Sequence, residues 1–463
     1  MLVAVVVAVA LTPQLGWKAG TPSPILEGNP RWVELYWKAW ENLYAATIDE
    51  KEPSPWPSRA ITDGEVIDYE KTLAISLYAN WGWRAHPIRE TLAYVLENVH
   101  ESGSVPARFG TQGSSGEAGG LPIEALATHR VFALSGDRES LVRHAAGAAA
   151  RHLYFANRAT YTIPPKDEKD KARIGYRVPA ALSVLPGTAE FTGEQSAEAL
   201  GLVLQSTAML AQVYRDLGDG RSAGTADRMA GNLAKQLGEL YSKEDRRFRG
   251  TYEGGSERDS MLPLFGAIGG NAPHAETALL GLFDPGRYYR RTLFPLVART
   301  DPAYVGVSGS RPLYTYLAIR AMLDNGMRRE AARAAEHVLT VYEAVAGKDN
   351  NLYGAYGSEA REPAPGAMPG HLEAGTIVIA ALIEAVMGID VDARAGKVTW
   401  FVRRTDKHGL ENLRFADNKV SMVFEAGSFT VDCEKPFTLE ASVDGTKHLK
   451  RFGIGKTVWT PGG

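Results

Sequence analysis

Residues 310–317 read Ser-Arg-Pro-Leu-Tyr-Thr-Tyr-Leu, residues 353–356 Tyr-Gly-Ala-Tyr, and residues 371–375 His-Leu-Glu-Ala-Gly. The first group opens an apolar run that predicts a helix from Pro312 to Asn325, closed by Asn325-Gly326. The third opens a helix from Leu372 to Met387, which stops at Gly388-Ile389-Asp390. Beyond Asp390 the apolar period changes to two. Lys397 to Val402, Val420 to Phe424, Ser428 to Val431 and Phe437 to Glu440 read as short strands between Gly and Asp turns. The chain therefore passes from helices to a small β module near residue 390.

Upstream the reading is helical almost throughout. Trp32, Leu35, Tyr36, Trp40 and Leu43 recur at the spacing of one helix face. Further helices are predicted over Tyr69 to Trp81, Ile88 to His100, Pro122 to Leu134, Ser140 to Ala156, Ser196 to Leu217 and Ser222 to Leu240. Ser260 to Ile268, His274 to Leu282 and Arg328 to Ala346 complete the set. Gly136-Asp137, Gly218-Asp219 and Asn325-Gly326 stand where helices must end in sharp turns. No strict repeat is visible, which argues against an open solenoid and for paired helices closed into a ring. The expected organisation is an apolar start and Pro/Gly arm over residues 1–28, an (α/α)6 toroid of helical hairpins over 29–390, and a β module over 391–463. The fold class is mainly α.

Composition excludes several functions. The 463 residues carry 44% apolar and 23% charged side chains, ordinary for a globular protein. A net charge of -3 gives no electrostatic case for nucleic acid or an anionic membrane as partner. One cysteine, Cys433, forbids an intrachain disulfide. Met1 to Ala10 is apolar but too short to span a bilayer. It reads either as the end of a signal-peptide core, placing the protein outside the cytoplasm, or as a packed N-terminal element of a cytoplasmic one. Metal-ligand spacings and phosphate-binding or nucleophile-elbow loops are lacking, so no cofactor and no metal are expected.

The order of motifs resembles six-hairpin glycosidases, the trehalase-like and mannosylglycerate-hydrolase-like group, over roughly residues 29–425. The resemblance rests on Asn29-Pro30 with Trp37-Lys38-Ala39-Trp40, Ile48-Asp49-Glu50, Gly103 to Arg108, and Met261-Leu262-Pro263-Leu264-Phe265-Gly266. Phe283-Asp284-Pro285, Glu362 to Gly366 and His408 to Leu413 follow in the same order. It implies a glycoside hydrolase that uses two carboxyl groups, one protonating the leaving oxygen and one activating water. Where the family carries its acid, this chain reads Leu182 to Glu190 without Asp. Where it carries an aromatic-Glu-x-Tyr segment with the base, this chain has Gly354. The family's early Trp-Asp pair falls near Glu70-Lys71, with Asp68 close by. Its Trp-Arg-Gly segment falls near Gly306 to Arg311, and His371 stands for a Trp before the last helix.

Candidate residues follow from these departures. Glu190 would be the acid, with Glu359 or Glu362 as the base. His371, His129 and Tyr252 are further acid–base candidates, since imidazole and phenol carry protons near working pH when their surroundings tune them. Arg258, Arg311, Tyr176, Arg177, Trp81, Glu373 and Tyr356 are candidates for holding substrate; arginine suits a sugar carboxylate and Trp81 a ring face. Each has a plainer alternative: a solvated loop charge, a helix cap or a packed side chain.

Three functions stay open. The first is hydrolysis of an oligosaccharide or glycoside, possibly acidic. The second is β-elimination on uronate-containing glycans by a Tyr or His base with Arg support, which the tyrosines at 252, 353 and 356 would suit. The third is sugar binding without turnover.

Overall fold

The computed structural model describes residues 12–49, 56–163, 173–177, 195–249, 259–270, 272–292, 294–301, 304 and 310–462. Among them, six helical segments form an inner ring: Tyr69–Tyr78, Glu124–Ser135, Ala197–Leu217, the 3-10 segment Leu262–Ala267, Pro312–Asp324 and Leu372–Ala380. Each packs on the next, and the last packs back on the first, so the ring closes. Outer helices Pro30–Ala45, Ile88–Glu97, Arg138–Ala159, Gly220–Glu239, Ala275–Leu280 and Arg328–Asp349 lean on it from outside.

Burial explains the two layers. Pro30–Ala45 buries one stripe: Trp32, Leu35, Tyr36, Ala39, Trp40 and Leu43. Pro312–Asp324 is buried nearly all round, as a helix surrounded by others must be. The glycine-aspartate pairs act as expected. Gly136 and Gly218 end helices at φ +64° and +79°, and Asp137 and Asp219 cap the next ones through backbone amides. The Ser260 to Ile268 segment differs from expectation. Pro263 opens it, and it forms a 3-10 helix that lies against Gly201, where a Cβ would come within 2.7 Å of Pro263.

The inner helices run parallel. At their N-terminal ends, Tyr69 donates to Glu124 at 2.9 Å and Ser260 to Glu198 at 2.7 Å. At their opposite ends a buried ionic cluster ties four elements together. Glu384, in a π-helical turn, accepts from Trp81 at 3.2 Å and pairs with Arg130 at 3.1 Å and Arg320 at 3.3 Å. Asp390 pairs with Arg130 at 2.9 Å, and the arginines hold its carboxyl well below the usual range.

Two sheets make the β module. The five-stranded one runs Ser23–Leu26, His408–Phe415, Asn418–Glu425, Ser428–Cys433, Gly455–Trp459. The four-stranded one runs Ile389–Asp392, Lys397–Val402, Phe437–Val443, Thr446–Phe452. Pairing is antiparallel except between Lys397–Val402 and Phe437–Val443. The arm before residue 28 supplies an edge strand, with Ser23 opposite Glu411 and Leu26 opposite His408. The module sits at the ionic-cluster end of the ring: Ala393 and Ala416 donate backbone bonds to Ala133 and Leu134.

Candidate functional site

The N-terminal end of the inner ring faces away from the β module, and the ionisable residues gather there. Asp68 caps the Tyr69 helix by accepting from the Lys71 amide at 3.0 Å. Glu70 follows in its first turn. Arg311 precedes the Pro312 helix and is exposed; Tyr314, one turn in, is buried and bonded to it. His371 and Glu373 begin the Leu372 helix. Helices from opposite ends of the chain thus bring three carboxylates, a guanidinium and an imidazole to one end of the ring.

Electrostatics separates these groups. Glu373 is half-buried, and its carboxyl is pushed up to about 7 by loss of water and by the negative Glu70, against the pull of Lys71 and Arg311. Glu70 is also raised, first by desolvation and then by Asp68. It is exposed yet hemmed in by protein, as a side chain projecting into a concave site would be. Gly120 makes room for it; a Cβ there would lie 2.0 Å from Glu70 Oε1. Glu124 is fully buried between Tyr69 and Arg151, bonded to Arg151 Nε at 3.1 Å, and braces this wall. His371 stays below the usual imidazole range because it is desolvated and near Lys71.

The other sequence candidates fall in different places. Arg311, Glu373 and His371 are brought together. Glu359 is clamped by Arg290 at 3.0 and 2.5 Å and accepts from Tyr304 at 2.7 Å, which holds its carboxyl below the usual range. Glu362 is exposed in the following loop. Tyr356 is buried, stacks on Tyr342 at 4.3 Å and is pushed upward by desolvation. Tyr353 bonds Asp349. Tyr176 is half-buried in the hairpin before the Ala197 helix, and Arg177 lies 5.5 Å over the Tyr161 ring.

Two placements run against the expectation. His129, at the middle of its helix, bonds Asp216 at 2.7 Å, in the last turn of the neighbouring Ala197–Leu217 helix and so away from the inner N-termini. Trp81 is 1% exposed and committed to Glu384, so no ring face is open to a sugar. Glu190, Tyr252 and Arg258 lie outside the described residues. Sequence reasoning passed over Glu70 and Tyr314 as site residues. The signal for Glu70 was its place beside the family's early Trp-Asp pair. Tyr314 carried no signal beyond its place in the quoted stretch.

Gly354 and His371 explain each other. A Cβ on Gly354 would come within 2.8 Å of His371 Cδ2, so the imidazole occupies the space beside the glycine. A glutamate at 354 has no room unless His371 turns away. Among the described residues, no group of three His, Cys, Asp or Glu side chains is arranged to hold a metal, and no helix is long and apolar enough to cross a membrane.

No protein-family model matches the chain, and no curated protein matches it. Solved structures do. The chain resembles an α-L-rhamnosidase from Aspergillus terreus with TM-score 0.60 at 12% identity, covering 95% of this chain and 50% of that one. An α-L-rhamnosidase from Streptomyces avermitilis, complexed with L-rhamnose, gives 0.58 at 13%, covering 95% and 42%. The mannosylglycerate hydrolase of Thermus thermophilus, in complex with glucose, gives 0.52 at 13%, covering 74% and 99%. The fold is that of the (α/α)6 glycosidases. The chain spans about half the length of the rhamnosidases it matches, and identities this low carry the fold alone.

Proposed function

We propose that this protein is a glycoside hydrolase whose reaction takes place at the N-terminal end of the inner ring, with Glu373 as general acid. The observation that carries this is the placement of Glu373 and Glu70 in the first turns of two neighbouring inner helices, where burial and the Glu70 charge push the Glu373 carboxyl up to about 7. An acid poised near neutral pH keeps its proton until the leaving oxygen needs it. In the proposed reaction the Glu373 proton passes to the glycosidic oxygen as the bond to the sugar breaks. Glu70 faces the positive charge that develops on the ring, and water supplies the hydroxyl of the product as its remaining proton passes to Glu70, from which it returns to Glu373 through solvent. Arg311 and His371 hold sugar hydroxyls or a substrate carboxylate. The fold shared with rhamnosidases and a mannosylglycerate hydrolase supports a carbohydrate substrate.

Glu359 suits the base role less well, since its clamp lowers its basicity. Elimination chemistry finds few bases here. Tyr314 and Tyr356 are buried and raised, Tyr353 is raised by its bond to Asp349, and His129 is at the far end, which among the described residues leaves His371. The test uses aryl glycosides and oligosaccharides with wild type, Glu373→Gln, Glu70→Gln and Glu190→Gln. The reading expects new reducing ends, without an ultraviolet-absorbing unsaturated product, and their loss in Glu373→Gln. Loss in Glu190→Gln with Glu373→Gln still active would move the acid to residue 190. The anomeric form of the first product, read by NMR, reports inversion or retention, which demand carboxyl spacings of about 6.5–9.5 Å or about 5 Å.

A further inference from the structure

A second concavity lies on the same end of the ring, outside the helix N-termini. It is a groove of about 850 Å³ between the loop of residues 98–117 and the end of helix Arg138–Ala159. Asn98, His100, Ser102, Glu117, Asn157 and Arg158 line it. We infer that this groove is a distal carbohydrate subsite, which takes the far units of an oligosaccharide whose reacting bond lies at Glu373; the inference rests on the hydrolase reading above.

Three observations support it. First, the chemistry of the wall fits a neutral polyhydroxylated ligand. Glu117 and Arg158 pair at 3.7 Å and cancel in charge, which disfavours a polyanion. Amide, hydroxyl and imidazole groups supply the rest, and amides and hydroxyls both donate and accept, as sugar hydroxyls do. Tyr154 is buried beneath, with the Arg158 guanidinium 4.0 Å from its ring centre, and Val105 and Pro106 add apolar surface of the kind that packs on the C–H face of a sugar ring.

Second, the groove is built before any ligand arrives. Arg151, 2% exposed, donates to the Gly103 carbonyl at 3.1 Å and the Ala118 carbonyl at 3.3 Å and ties the loop to the Glu124 helix. Gly103, at φ +82°, lets the loop touch the Arg138 helix; a Cβ there would lie 2.4 Å from the Ala150 carbonyl oxygen. A preformed wall spares a ligand the cost of ordering it.

Third, the loop joins the two sites. Its strand Arg108–Gly110 pairs with Val66–Asp68, which runs into the helix bearing Glu70. Three residues beyond Glu117, Gly120 lies against the Glu70 carboxylate. One wall of the groove is thus continuous with one wall of the reaction site. A single sugar would fill only the inner site, and a longer chain would cross this loop.

The test measures binding by saturation-transfer NMR with gluco-, manno- and rhamno-oligosaccharides of one to six units. The full chain carrying Glu373→Gln is used, so that turnover does not interfere. Asn157 is exposed, so Asn157→Trp fills the groove and Asn157→Ala removes one contact, with Asn98→Ala as an independent variant. At least one series should bind more tightly with length, and Asn157→Trp should weaken its longest member at least fivefold while sparing the monosaccharide. Affinity independent of length, no binding at all, or long-chain affinity unchanged in Asn157→Trp overturns the subsite. Turnover of aryl monosaccharide glycosides by the otherwise wild-type chain separates the two claims. Turnover with an indifferent groove leaves the hydrolase and removes the subsite, whereas Asn157-dependent binding without turnover of any substrate removes the hydrolase and leaves the groove as a sugar-binding site alone.

Discussion

Replacing Glu373 with Gln should make the protein more stable at alkaline pH while destroying activity. Raising a carboxyl from 4.5 to about 7 corresponds to roughly 3 kcal/mol at ~1.4 kcal/mol per pH unit. Glu373 is half-buried, so solvent screening trims this to about 2 kcal/mol. The sign follows from linkage. The folded state holds this proton more tightly than the unfolded state, so the contribution is fully present below about pH 4.5 and is lost as pH rises through about 7. A neutral amide lacks this dependence. Variant and wild type should therefore differ little at pH 5, and the variant should gain about 2 kcal/mol by pH 8. Urea unfolding at the two pH values reads this as a midpoint difference that grows by about 0.7 M for a slope of ~3 kcal/mol/M. A difference that is the same at both pH values would refute the account of Glu373 as a proton-holding acid.

The same electrostatics makes further predictions. The alkaline limb of kcat/KM should fall near pH 7, and Glu70→Gln should move it to lower pH, because removing a like charge favours ionisation of Glu373; a pH–rate profile of whatever activity remains checks the direction. Lys71→Met should move the limb the other way in the same profiles. Gly120→Ala puts a methyl 2.0 Å from Glu70 Oε1, and should lower turnover at least tenfold with an unchanged circular-dichroism spectrum. Arg130→Met leaves Glu384 and Asp390 short of a buried partner and should cost about 3–5 kcal/mol in urea unfolding.

The sequence showed the ring more clearly than the site, for physical reasons. Burial imposes a period on every helix, so the Trp32 to Leu43 stripe and the glycine-aspartate turns were readable, as was the passage to strands after Asp390. Three-residue strands impose no period, and the small sheet of Val66–Asp68, Arg108–Gly110 and Gly113–Ser115 that shapes the site was not visible. Site residues depend on which end of a helix meets its neighbours. Glu373 and His371 lie at the candidate site because they open a helix; His129 and Trp81 have suitable chemistry but sit toward the other end. Ser260 to Ile268 has helical spacing, yet Pro263 and the close approach to Gly201 favour a tighter turn. The departures at Gly354 and His371 are legible singly, but their steric dependence arises only where the fold brings the two segments together.

The most direct test of the central claim is the rate of glycoside cleavage by wild type and Glu373→Gln, measured at pH 6 on a panel of aryl glycosides and oligosaccharides. The account predicts hydrolysis of at least one substrate by wild type and a loss of about 10²–10⁴-fold in the variant, with binding retained. Cleavage that survives Glu373→Gln unchanged, or that yields an unsaturated product, would contradict it.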